Sequence, residues 1–167
     1  MKKTLTVLRK GSLYAACVFT DEGVYASALP RDTLEAAIRS VEGEHLPRDD
    51  SSEKLEVLEA LFSIWEGKDV QGLSKIKMDY SGLTGKQQMV VKAARQIKKG
   101  TTMTYGQLAE KAGLPNAARF VGNVMAGNRH APFVPCHRVV ASTGLGGYGG
   151  GLSLKVSILK REGAFAD

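Results

Sequence analysis

The chain has 167 residues, 43% of them hydrophobic, which is enough to bury one good core or two small ones. Composition excludes a membrane-spanning protein, because no apolar run approaches the length of a span, and the stretch after Met1-Lys2-Lys3 is too short for a signal peptide. We therefore expect a soluble protein that stays inside the cell and has no membrane partner.

Charge is distributed unevenly along the chain. Residues 1–80 carry 11 Lys and Arg against 14 Asp and Glu, a net charge of −3, whereas residues 81–167 carry 12 against 3, a net charge of +9. An excess of this size on a domain-sized stretch indicates a surface that meets a polyanion, and nucleic acid is the commonest one. The alternative is that the lysines only form solvated helix faces. We predict two domains with different roles, 1–80 and 81–167.

The first domain is predicted to be a small α/β scaffold. Short β-like runs at 5–8, 13–19 and 24–26 are separated by turn residues and predict an antiparallel meander. Apolar spacing predicts helices over 33–41, capped by Asp32 or Thr33, and over 52–65. No set of residues in this half suggests chemistry.

The second domain is predicted to be mainly helical. Two capping boxes, in which Thr84 is followed by Gln87 and Thr104 by Gln107, predict helix starts, and Gly100 is expected to stop the first helix. The second of these helices should reach residue 112. Six glycines between 144 and 151 predict a loop that approaches a flat ligand closely.

Two short helices in this basic half are predicted to form a helix-turn-helix. The second helix should begin at Pro115 or Asn116 and end before Gly127, with Arg119 and Asn123 one turn apart on its outward side. Such hairpins also occur as plain packing units. The expected fold class is α+β, in which a small N-terminal α/β domain with a short antiparallel sheet precedes a mainly helical C-terminal domain.

The last segment of the chain fits two secondary structures. Residues 152–158 alternate in polarity like a strand, but the apolar residues 154, 158 and 159 suit one face of a helix. A cap at Ser153 and a stop at Gly163 favour the helix.

A candidate nucleophile lies in the run Pro135-Cys136-His137-Arg138. A cysteine reacts as its thiolate, and a neighbouring imidazole or guanidinium lowers the thiol pKa. The alternative is a small buried thiol beside a satisfied histidine. Cys17, within an apolar run, is expected in the core. The three histidines show no metal-ligand spacing, so we expect reduced thiols and no metal.

Several motifs in one order resemble the O6-alkylguanine-DNA alkyltransferases, also called methylated-DNA-protein-cysteine methyltransferases. The motifs are Thr104-Tyr105-Gly106-Gln107-Leu108-Ala109, Ala118-Arg119 with Val121-Gly122, Gly127-Asn128, Pro135-Cys136-His137-Arg138-Val139-Val140, Tyr148 with Gly150-Gly151-Leu152, and Lys155 with Glu162-Gly163. The similarity runs from about residue 84 to residue 163, roughly half the chain.

The resemblance implies a role for each of five catalytic residues. Cys136 would accept the alkyl group, with His137 as its base through water and Glu162 orienting the imidazole. Asn128 would brace the region around the cysteine, and Tyr105 would donate a hydrogen bond to the departing guanine.

The resemblance also implies the surfaces that meet the substrate. Arg119 would fill the gap that the flipped nucleotide leaves in the duplex, because an alkylated base must leave the stack to react. The implied DNA contacts are Arg119, Asn123, Thr104 and Tyr105, and the implied lining of the base pocket is Val139, Tyr148, Gly149 and Gly150.

By the same resemblance, the expected function is DNA repair by irreversible, single-turnover transfer of an alkyl group from O6-alkylguanine, and from O4-alkylthymine, in duplex DNA to Cys136. A monomer without a cofactor would act in the cytoplasm, or in the nucleoid or nucleus where DNA lies. The chain departs from the family at Phe120, where a small residue is usual, and at Arg129 and Ala131, where prolines are usual.

Two other function classes compete with this interpretation. One is a non-catalytic alkyltransferase-like protein that only binds DNA lesions, although such relatives lack a cysteine at the position of Cys136. The other is a cysteine hydrolase that uses Cys136 and His137 on an acyl substrate, which would need an oxyanion hole and leaves the basic second half unexplained.

Overall fold

The structure is a computed structural model that describes residues 1–165, and these form two compact units. Unit 1 comprises Met1–Ser81 together with Arg129–Phe133, and unit 2 comprises Gly82–Asn128 and the chain from Val134 onward. Helices and a small antiparallel sheet make the fold mixed, as predicted. No described helix is both long and apolar enough to cross a bilayer.

An antiparallel sheet of three strands forms one side of unit 1. Its strands are β1 (Thr4–Lys10), β2 (Leu13–Thr20) and β3 (Gly23–Ser27), in the order β1-β2-β3. Tight turns connect the strands, so neighbours in sequence are neighbours in space, which confirms the predicted meander. Cys17 in β2 is fully buried, as expected for a core residue.

Helices cover the sheet of unit 1. They are α1 (Leu34–Ser40), whose N-cap Thr33 accepts a hydrogen bond from the Ala36 backbone, and α2 (Ser52–Trp65). One face of β2 packs against buried residues of α2, whereas the opposite face packs against α1. Burial on both faces explains why β2 is an almost continuous apolar run.

Four helices and a short parallel strand pair build unit 2. The helices are α3 (Gly85–Ala94), α4 (Tyr105–Lys111), α5 (Ala118–Ala126) and α6 (Leu152–Arg161), and β4 (Met103–Thr104) pairs with β5 (Val139–Val140). Both predicted capping boxes are present, at α3 and at α4. The helical alternative for the last segment is confirmed by α6.

Three helix boundaries differ from the prediction. Helix α3 ends at Ala94 and not near Gly100, because the next backbone hydrogen bonds span three residues in place of four. Helix α5 begins at Ala118, because Asn116 has a φ of 64°, which no right-handed helix can include. Ser153 lies inside α6 and caps nothing, since the N-cap is Gly151.

Candidate active site

Cys136 opens a single 3-10 turn, Cys136–Arg138, directly before β5. The turn keeps neighbouring side chains from pointing to strictly opposite sides, as they would in an extended strand. Because β5 pairs with β4, and β4 runs straight into α4, the first residue of α4, Tyr105, is brought to the same end of unit 2. The Cys136 side chain is half-buried.

Several donors surround the sulfur atom. The Asn128 side chain and the backbone N–H groups of Cys136 and His137 donate hydrogen bonds to it, and the charge of Lys155 lies near. Burial nevertheless outweighs these effects and raises the thiol pKa, which is opposite to the lowering expected from the sequence. The resting group is therefore a thiol, and its proton must be removed during the reaction.

Asn128 also fixes the backbone that leads to the cysteine. Its Nδ2 donates a hydrogen bond of 2.8 Å to the carbonyl oxygen of Val134, two residues before Cys136. Asn128 thus ties the end of α5 to the segment that leads to Cys136.

His137, Glu162 and Arg138 form a buried triad of charges and hydrogen bonds. Glu162 Oε1 lies 3.0 Å from His137 Nε2 and 3.0 Å from Arg138 Nε, and Glu162 Oε2 lies 2.6 Å from Arg138 Nη2. Burial alone would raise the Glu162 pKa, but the hydrogen bonds from His137 and Arg138 lower it to about 2. The carboxyl group is therefore ionised at neutral pH.

The same contacts define the protonation state of His137. Burial lowers the imidazole pKa and outweighs the opposite effect of Glu162, so His137 is neutral at rest. Nε2 must carry the proton, because it faces an ionised carboxylate 3.0 Å away. Nδ1 then keeps a lone pair that can accept a proton, directly or through water.

A pocket of about 320 Å³ has Cys136 in its lining. Its lining residues are Tyr105, Gly122, Met125, Ala126, Cys136, Gly147, Tyr148 and Gly149. Two tyrosines and several glycines give it flat walls, which suit a planar ring.

Tyr105 is fixed by two close backbone approaches. A Cβ on Gly146, whose φ is +72°, would lie 2.7 Å from the Tyr105 hydroxyl, so only glycine leaves room for that oxygen. A Cβ on Gly122 of α5 would lie 4.0 Å from the Tyr105 ring, which is ordinary contact. The Tyr105 side chain thus lies between the glycine loop, which approaches its hydroxyl, and α5, which contacts its ring.

The remaining predicted pocket residues divide into two groups. Tyr148 and Gly149 line the pocket. Gly150 packs on α6, since a Cβ there would lie 2.5 Å from Leu154 Cδ2. Val139 is fully buried and lies outside the pocket lining, although its carbonyl oxygen holds the ammonium of Lys155.

The predicted DNA-contacting residues lie on α4 and α5. Arg119 and Asn123 are both exposed and four residues apart, so they share one face of α5. Thr104 caps α4, accepting a hydrogen bond of 3.1 Å from the Gln107 backbone. It also borders an open groove of about 520 Å³ that runs beside the start of α5.

Residues from α5 were missed as pocket lining by the sequence analysis. Gly122, Met125 and Ala126 have the spacing of one helix face, but none of them is in the pocket lining that the motifs implied. Lys155 was noted only as part of a motif, yet it is fully buried. Among residues 1–165, no group of three or more His, Cys, Asp and Glu side chains is placed to hold a metal ion.

Comparisons with known proteins agree with this geometry. A family model described as the DNA-binding domain of 6-O-methylguanine DNA methyltransferase matches residues 85–164. A methylated-DNA–protein-cysteine methyltransferase of Mycobacterium leprae is 47% identical over 88 residues, covering 52% of this chain and 53% of the relative. The human protein of the same name is 47% identical over 77 residues, covering 46% of this chain and 37% of the relative.

The fold extends the similarity beyond that region. A crystal structure of Mycobacterium tuberculosis OGT in complex with DNA superimposes with a TM-score of 0.74 at 27% identity, covering 96% of this chain and 93% of that chain. In sequence, the match spans about half the length of the Mycobacterium leprae relative. Residues 85–164 of this protein therefore match the DNA-binding domain of the 6-O-methylguanine DNA methyltransferase family.

Proposed function

We propose that this protein repairs DNA by moving an alkyl group from O6 of guanine, or from O4 of thymine, to the sulfur of Cys136 in a single turnover. The observation that carries the proposal is that Cys136 lines a pocket with flat sides and is followed in the chain by a neutral histidine that an ionised glutamate holds. The relatives' name, methylated-DNA–protein-cysteine methyltransferase, supports the same chemistry.

The transfer begins with loss of the thiol proton. His137 Nδ1 accepts this proton through a water molecule, and Glu162 stabilises the resulting imidazolium, which it already contacts through Nε2. The Asn128 amide and the backbone N–H groups of the 3-10 turn stabilise the thiolate as it forms. Burial, which raises the thiol pKa at rest, limits reaction with other electrophiles.

The thiolate then attacks the alkyl carbon. A carbon–sulfur bond forms as the bond between that carbon and O6 breaks, and the bonding electrons pass to the guanine ring. The Tyr105 hydroxyl donates a proton to the ring, and the proton held by His137 returns to Tyr105 through solvent. The products are unmodified guanine and a thioether, which has no easy reverse reaction, so each protein molecule acts once.

DNA binding is assigned to the α4–α5 hairpin as a helix-turn-helix. The exposed Arg119 and Asn123 face away from the core of unit 2, in which Lys and Arg outnumber Asp and Glu by 11 to 3. Arg119 fills the gap left by the extruded nucleotide, because a planar cation both stacks and meets phosphate charge. The pocket and the helix belong to one unit, so we propose that a monomer acts wherever the cell keeps its DNA.

Stoichiometry tests this function. A duplex with one O6-methylguanine is mixed with increasing protein, and the guanine restored is counted by nucleoside chromatography. The account predicts one repaired base for each protein molecule, none for Cys136→Ser, and the unchanged yield for Cys17→Ala. Repair of many bases for each molecule, or retention of the methyl group with protein in excess, would overturn it.

A further inference from the structure

Lys155 is a fully buried lysine that takes no part in the transfer described above. It lies in α6, and its Nζ is 2.6 Å from the carbonyl oxygen of Val139, 2.6 Å from that of Leu145 and 3.1 Å from that of Gly147. An ammonium group has three N–H donors and an amine has two, so this set of three acceptors requires the charged form.

The three carbonyl oxygens belong to two segments that build the pocket, and Lys155 links these segments by its hydrogen bonds. Val139 follows the turn that begins at Cys136 and opens β5, whereas Leu145 and Gly147 belong to the glycine loop that presents Tyr148 to the pocket. The loop consists largely of glycine, which has more backbone freedom to lose than any other residue. One buried cation thus replaces the packing that larger side chains would supply.

The ammonium also acts on the charges around it. Its positive charge lowers the pKa of Cys136 and of His137, and its amine end lies 6.0 Å from the centre of the Tyr148 ring. Burial lowers the pKa of Lys155 itself, while the charge of Cys136 raises it. Lys155 and Cys136 therefore stabilise each other's ionised form.

We propose that Lys155 is a positioning residue for the alkyl transfer, in which its ammonium holds the glycine loop against β5 and favours the anionic form of the Cys136 sulfur. The role in transfer rests on the proposed function. The effect on the sulfur does not, because any thiol reagent small enough to enter the pocket should report it.

The test is the pH dependence of carboxamidomethylation by iodoacetamide, with the rate at Cys136 followed by peptide mass spectrometry. Lys155→Met keeps a long side chain and removes the charge. Lys160→Met is the matched control, because it removes the same charge from an exposed position on the same helix.

For Lys155→Met we expect the profile to move to higher pH and the rate at pH 7.5 to fall at least about threefold, which corresponds to half a pH unit. For Lys160→Met we expect the same pH profile as for the protein without substitutions. An equal displacement in both variants, or none in Lys155→Met, would overturn the proposal. If the protein fails to repair DNA at all, this comparison still decides whether Lys155 favours the anionic form of the Cys136 sulfur.

A second measurement guards against misfolding of Lys155→Met. In the unmodified protein and in Cys136→Ala, the titration of Lys155 is followed by the NMR shift of its Cε carbon. The Lys155 pKa should be lower in Cys136→Ala, because the attraction of the thiolate is lost. Equal pKa values in the two proteins would refute the coupling.

Discussion

Replacing Glu162 by Gln tests how much the buried triad stabilises unit 2. The substitution keeps the shape of the side chain but removes the charge that faces both His137 and Arg138. Arg138 is only 7% exposed and its charge would then be left without a carboxylate. Breaking a buried pair in this way costs about 3 to 5 kcal/mol.

The shift of the Glu162 pKa allows a second calculation of this loss of folding free energy. A fall from the ordinary value of 4.5 to about 2 corresponds to about 3 kcal/mol that ionised Glu162 contributes to folding. Since the folded pKa is the lower one, this stabilisation is complete above pH 4.5 and is lost as the pH falls through 2. The cost of breaking a buried pair and the pKa shift both predict that Glu162→Gln loses about 3 kcal/mol of folding free energy at neutral pH.

Urea unfolding followed by far-UV circular dichroism measures this loss. Glu66→Gln is the control, because the Glu66–Lys68 pair has the same 2.6 Å separation as the closest contact between Glu162 and Arg138, yet 64% of the Lys68 side chain is exposed. The control should cost less than about 1 kcal/mol. A loss below about 1 kcal/mol for Glu162→Gln would refute the reasoning that burial decides the strength of the pair.

Three further predictions follow from other parts of the structure. Arg119→Ala should weaken duplex binding and slow transfer from DNA while sparing reaction with free O6-benzylguanine, and equal loss on both substrates in a kinetic assay would make Arg119 merely structural. Tyr105→Phe keeps the ring and should slow transfer by about a hundredfold, as single-turnover kinetics at saturating DNA would show; an unchanged rate would mean that the Tyr105 hydroxyl is not the proton donor. Burial and the charge of Arg129 lower the pKa of His130 to about 4 from 6.5, so unit 1 should lose up to about 3 kcal/mol as the pH falls from 6.5 to 4. Unfolding followed by Trp65 fluorescence measures this loss, which His130→Gln should abolish.

Local rules were enough for much of the secondary structure. The two capping boxes start α3 and α4 where predicted, because each depends on side chains only three residues apart. The start of α5 was misplaced because the left-handed φ of Asn116 is not encoded by helix periodicity.

Contacts between residues that lie far apart in the chain could not be predicted from the sequence. Residues 129–133 lie within unit 1, where Arg129 donates hydrogen bonds to the carbonyl oxygens of Tyr25, Asp79 and Ser81. The residues around Arg129 do not indicate these acceptors, because the acceptors lie 48 or more residues earlier in the chain.

The sequence indicated which residues form the candidate site but not how deeply they are buried or how their pKa values shift. The motifs identified Cys136, His137 and Glu162 as candidates, and the structure brings His137 and Glu162 within 3.0 Å. The direction of the Cys136 pKa was mispredicted, because adjacent basic residues suggest lowering whereas burial, which only packing determines, raises it. Val139 was expected in the pocket, but its side chain is fully buried and lies outside the pocket lining.

We propose that the sulfur of Cys136 receives the alkyl group, and peptide mass spectrometry after reaction with a duplex carrying O6-methylguanine tests this proposal. We expect one added methyl group on the peptide that contains Cys136, none on the peptide that contains Cys17, and none on Cys136→Ala. A methyl group found on any other residue, or an unmodified Cys136 beside repaired DNA, would contradict it.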